Sequence, residues 1–188
     1  MSVHEPTTLL TDYLLCAAAA IFAARLWRTH RMWALAFAFT AAASLFGGTY
    51  HGFAPILGAL TEVVLWKATV LSVGLASCFL LAGASRRLAG FAVVKFVAYA
   101  SWMITHDDFS WVILDYGITL LLVGIALRRN GWVLGSIGVS VLAALVQQQG
   151  LTLHANFNHN DLYHVVQLVA LWLLYRGGLV ARQAGVTT

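Results

Sequence analysis

Seven apolar stretches, at roughly 7–27, 31–53, 58–83, 89–105, 109–127, 132–148 and 160–181, constrain this chain more than any other feature. A helix needs about 20 mostly apolar residues to cross the hydrocarbon core of a bilayer. Backbone N–H and C=O groups in lipid must be satisfied within the segment, so runs of this length mean helices. The expected fold is therefore an all-α membrane protein, a single domain over residues 1–188 built as a bundle of seven transmembrane helices. The breaks between runs are short and carry turn signals: Arg25 to Arg31, Gly52 to Gly58 with Pro55, Ser85-Arg86-Arg87, His106-Asp107-Asp108 and Arg128-Arg129-Asn130-Gly131. The longest break, Gln147 to His159, is rich in Gln, Asn and His.

Composition agrees with bilayer as the solvent. Of the residues, 61% are hydrophobic and 10% charged, against about 25% charged in soluble domains. The net charge of +4 does not indicate nucleic acid, because the basic residues lie between apolar runs and form no patch. Cys16 and Cys78 fall inside apolar runs with no C-x-x-C spacing, which reads as buried free thiols. The first run is expected to be a retained helix. No Lys or Arg precedes it, Glu5 does, and arginines follow it, the reverse of a cleavable signal.

Orientation follows from the arginines. Arg25, Arg28 and Arg31 follow helix 1, Arg86 and Arg87 follow helix 3, Arg128 and Arg129 follow helix 5, and Arg176 and Arg182 lie near the C-terminal end. The other connections hold no Lys or Arg. The positive-inside rule then places the N-terminus outside and the C-terminus in the cytoplasm. The expected location is a bacterial-type inner (cytoplasmic) membrane.

The acidic and imidazole residues take the opposite side. Glu5, Asp12, Glu62, Asp107, Asp108 and Asp161 lie at or near the outer boundary, as do His4, His51, His106, His154, His159 and His164. His4, His106 and His154 read as ordinary solvated loop residues. His51 near the end of helix 2, Glu62 near the start of helix 3 and His164 one turn into helix 7 are harder to dismiss, because ionisable residues in spanning segments usually face the bundle interior. Asn160, Asp161, His164 and Gln167 share one helix face. Two imidazoles and a carboxylate converging from different helices can bind Zn²⁺. The bland alternative is an interhelical hydrogen-bond cluster. Haem ligation by His51 and His164 is a further alternative, without a c-type attachment motif.

The topology and the placement of these residues resemble the CREST superfamily of seven-helix membrane proteins, which includes alkaline ceramidases and the progestin and adiponectin receptors. That resemblance implies a Ser-x-x-x-His motif near the end of helix 2, an Asp near the start of helix 3 and His-x-x-x-His near the start of helix 7, together holding an intramembrane zinc used to hydrolyse lipid amides. His51 matches the helix 2 histidine and His164 the second histidine of helix 7, and Glu62 stands where the family has Asp. Gly47 occupies the serine position and Asn160 the first helix 7 histidine position. His159 is adjacent but points about 100° away in a regular helix.

The leading expectation is a CREST-like, zinc-dependent hydrolase of a lipid amide or ester, with membrane lipid or a lipid-like small molecule as partner. His51 and His164 are the expected Zn²⁺ ligands, with Asp161, Glu62 or His159 completing the set. Glu62 or Asp161 is the expected catalytic base, and Tyr50, Asn160 and Gln167 support the ligands. The alternative is a non-enzymatic polytopic protein, either a small-molecule or proton-coupled transporter or a sensor, using the same outward pocket. Elsewhere, Lys67 and Asp115 are expected to form a structural ion pair by depth, with Lys95 snorkelling to the cytoplasmic face. A retinal protein is disfavoured because helix 7 has no lysine.

Overall fold

A computed structural model describes residues 3–154 and 157–185, and side chains as far as Ala181, so the side chain of Arg182 lies outside the described residues. Seven α-helices follow one another with no strand among the described residues: α1 (Pro6–Leu26), α2 (Arg31–Phe53), α3 (Ala59–Ala84), α4 (Ala89–Met103), α5 (Phe109–Ala126), α6 (Gly131–Gln149) and α7 (His159–Gly185). Their ends follow local chemistry. Pro6 opens α1, where its missing N–H costs nothing. Asp108 caps α5 by accepting from the Ser110 N–H at 2.8 Å, a bond that holds its carboxyl below the usual carboxylate range. Asn130 caps α6 through the Val133 N–H. Gly150 ends α6 in the left-handed region at φ 61°, which a residue without Cβ adopts freely.

Six of the seven helices are long and apolar enough to cross a membrane. The exception is α4, at 15 residues. At 1.5 Å per residue it is about 22 Å long, against a hydrocarbon core of about 30 Å. The helices bury one another in sequence order: α1 lies along α2, α2 along α3 and α6 along α7, and α7 returns to α1. In contrast, α5 packs more on α3 than on α6. Leu60, Val94, Ile104, Leu121 and Leu153 are among many large apolar residues left exposed. A water-soluble monomer rarely exposes continuous apolar surface beyond a few hundred Å², so the exterior fits lipid and marks a multi-pass membrane protein.

The arginine-side half of the bundle is closed by aromatic packing. Phe22 stacks on Tyr175 with centroids 4.5 Å apart, and Phe37 meets both edge-on. Trp33, 2% exposed, lies between Gly83 of α3 and Gly178 of α7. A Cβ at these glycines would come within 2.7 and 2.8 Å of its ring.

Two lysines settle differently from their expected depths. Lys67 does not pair with Asp115. Its Nζ donates to the carbonyls of Met103 (2.6 Å) and His106 (3.2 Å) and pairs with Asp107 at 2.6 Å. It thus sits on the C-terminal end of α4, where unsatisfied carbonyls attract a cation. Lys95 takes Asp115 instead. It also donates to Ser77 Oγ at 3.0 Å and the Asp115 carbonyl at 3.2 Å, and Ser77 bonds Thr119 at 2.6 Å. Lys95 therefore does not snorkel. Because α4 is short and packs on α3, Lys95 comes beside α5 well inside the bundle.

Candidate functional site

A cavity of about 230 Å³ lies inside the bundle between α1, α2, α3, α5, α6 and α7. Its polar residues include Asp12, His51, Gln147, Asn160 and His164, all near the end of the bundle opposite the arginines. Farther in, the wall is mostly apolar, with Ala76, Leu120 and Leu171. Val141 of α6 lines the cavity and is 53% exposed.

The polar end is assembled mainly by α1 and α7. Asn158 and Asp161 form a reciprocal cap on α7: Asn158 Oδ1 accepts from the Asn160 and Asp161 N–H groups, and Asp161 Oδ2 accepts from the Asn158 N–H at 2.8 Å. The other Asp161 oxygen accepts from Thr8 Oγ1 of α1 at 2.8 Å. One turn on, His164 Nδ1 bonds Thr11 Oγ1 at 3.1 Å. Its Nε2 faces Asp12 Oδ1 at 3.4 Å, an ion-pair distance rather than a hydrogen bond. Asp12 and His164 are both buried. Room for Asp12 comes from α2, where a Cβ on Gly48 would lie 2.8 Å from the Asp12 Cβ and one on Gly47 would lie 3.7 Å from its carboxylate. The carboxylate of Asp12 thus lies beside Gly47.

Across the cavity, Gln147 Nε2 donates to Asn160 Oδ1 at 2.9 Å, and Gln147 Oε1 is buried without a partner. The two amides can flip together and keep their mutual bond. Either orientation leaves one amide NH2 group and one amide oxygen outside the mutual bond.

Of the residues predicted from sequence, the cavity brings together His51, Asn160, His164 and Gln167. His51 is held through Nδ1 by Glu5 at 2.7 Å. Tyr50 packs edge-on against His51 and at a tilt against Trp66. Asp161 has both oxygens committed and does not line the cavity. His159 opens α7 and also lies outside the lining. Glu62, half-buried in the first turn of α3, lies outside the lining too. Among the described residues no three His, Cys, Asp or Glu side chains come together as metal donors, so this donor set does not fit a closed zinc site. Sequence reasoning placed Asp12 at the outer boundary without giving it a role, and passed over Thr8, Thr11 and Gln147. The available signals were an ionisable residue one turn and a half into α1 and the Gly47-Gly48 pair, since small residues let transmembrane helices approach closely.

A family model described as a family of unknown function, DUF6962, matches residues 7–183, and the chain belongs to that family. No curated protein and no solved structure matches it.

Proposed function

We propose that this DUF6962 member is a seven-helix membrane protein, N-terminus outside and C-terminus cytoplasmic, that hydrolyses a lipid amide or ester in a CREST-like arrangement. The observation that carries the reading is a buried Asp12–His164 pair at the polar end of a cavity whose depth is apolar. The arginines support the crossing count. In this reading Arg86–Arg87 and Arg128–Arg129 belong to one side, α5 crosses, and the short α4 returns the chain across the membrane. The outer end, where the cavity is polar, then faces the cell exterior.

In this reading a single acyl chain enters from the bilayer, and its carbonyl stops at the polar end. The free donor of the Gln147–Asn160 pair binds the carbonyl oxygen. His164 Nε2 removes a proton from water, and the water oxygen bonds to the carbonyl carbon. Asp12 stabilises the imidazolium that forms. The C–N or C–O bond then breaks, and the leaving nitrogen or oxygen takes the proton back from His164. The products are a fatty acid and an amine or alcohol. No step passes through a metal.

The test is turnover of long-chain N-acyl amides and acyl esters by protein in lipid nanodiscs, read as released fatty acid. Wild type is expected to release it, and His164→Gln and Asp12→Asn to lose about 10²–10⁴-fold, the usual worth of a positioned acid–base group. Unchanged turnover in both variants would sink the assignment. Bound lipid with no release would favour a sensor or transporter using the same cavity. One zinc per chain in tag-free protein would replace this chemistry with a metal-dependent one.

A further inference from the structure

We infer that Thr11 locks His164 in the tautomer with its proton on Nδ1, leaving Nε2 as a bare acceptor beside Asp12. The argument is a count of protons. A threonine hydroxyl has one proton and two lone pairs. Thr11 Oγ1 lies 3.0 Å from the Thr8 carbonyl, one turn back along α1, which can only accept, and the hydroxyl proton is assigned to that bond. At 3.1 Å from His164 Nδ1 it can then only accept, so the proton of that contact belongs to the ring. A neutral imidazole with Nδ1 protonated carries its lone pair on Nε2. Nε2 is the nitrogen that faces Asp12, and both residues line the cavity.

The lock is rigid for reasons visible along α1. Thr8 spends its own hydroxyl proton on Asp161 at 2.8 Å, so two successive turns of contact tie α1 to α7. Thr8, Thr11 and Asp161 are all buried, and water does not compete for these bonds. Thr11 is thus a positioning residue acting through His164. Only its consequence for catalysis rests on the hydrolytic reading. The tautomer itself follows from the hydrogen bonds.

The experiment is nitrogen NMR of full-length protein labelled with ¹⁵N-histidine in nanodiscs at neutral pH, with the His164 signals found by difference from His164→Gln. Wild type is expected to show a protonated Nδ1 and a pyridine-type Nε2. Thr11→Ser, which keeps the hydroxyl, should preserve this pattern. Thr11→Val, which keeps the shape but removes the acceptor, should move the proton to Nε2, where Asp12 can receive it. A wild-type His164 protonated on Nε2 would overturn the inference, as would a Thr11→Val spectrum like wild type. If Thr11→Val does not fold, the wild-type and Thr11→Ser spectra still decide, because an unprotonated Nδ1 in either overturns it. Turnover measured on the same samples separates the two readings. The expected tautomer in a protein without turnover leaves the lock standing and removes the hydrolase. Turnover with the opposite tautomer does the reverse.

Discussion

Two buried Asp-containing pairs lie in this bundle, and they differ in how completely the protein satisfies them. Lys95 spends its three donors on Asp115 Oδ1, the Asp115 carbonyl and Ser77. Ser77 in turn bonds Thr119, so three helices close round the cation. Only Asp115 Oδ2 is left without a partner. The Asp12–His164 pair is the opposite. One ring nitrogen is held by Thr11, while the other stands 3.4 Å from a carboxylate on a cavity wall, short of a hydrogen bond. On the same cavity Gln147 Oε1 is buried and unbonded. A satisfied network fixes packing, whereas unspent donors and acceptors around a space are what a ligand needs. The difference teaches that burial of charge in a membrane helix does not itself mark function. What marks it is unused bonding capacity facing a cavity.

The sharpest way to break the comparison is Lys95→Met. It leaves the Asp115 carboxylate buried and unpaired, and removing one partner of a buried pair costs about 3–5 kcal/mol. The loss should appear in thermal denaturation of the detergent-solubilised protein. Adding Asp115→Asn should recover part of it, and strict additivity would show that the two are not partners. A smaller effect is expected from Gly48→Ala. Its Cβ would meet Asp12 and Tyr13 at 2.8 and 2.9 Å, and overpacking of this kind costs about 1–3 kcal/mol. It pushes on α1 beside Asp12, so turnover should fall by more than stability does, whereas Gly178→Ala against Trp33 should lower stability and leave turnover close to wild type. The smallest effect belongs to Lys67→Met. Its carboxylate partner Asp107 is 66% exposed, and an exposed pair contributes under about 1 kcal/mol. A loss as large as that of Lys95→Met would mean that the bonds from Lys67 to the end of α4 matter more than the ion pair.

Much of the fold was legible from residue order. The apolar runs predicted at 31–53 and 109–127 match α2 and α5 to within a residue at each end, because helix formation in lipid is dictated by local backbone satisfaction. The turn signals at Asp108 and Asn130 act where they stand, as caps. The candidate site was legible in part. His51, Asn160, His164 and Gln167 do share one cavity. The role expected for Asp161 was misjudged by spacing: a carboxylate at the third position of a helix beginning after Asn158 completes a cap, and the face it shares with His164 does not decide what it bonds. Lys67 was assigned to Asp115 by counting depth along each helix. That count takes all helices as equally long and level, and the 15 residues of α4 break it.

Sequence alone therefore determined the helices, their caps and the gathering of arginines at one end, since each depends on contacts within a few residues of the chain. The partners of Lys67, Lys95 and His164 were decided only by tertiary structure. The bond between Thr11 and His164 spans 153 positions, and whether it forms depends on the rotation and offset of α1 against α7. Those are set by side chains packing across the interface, such as the approach of α1 to the bare backbone at Gly48. No local pattern carries that information, because one helix surface can meet different neighbours at different heights.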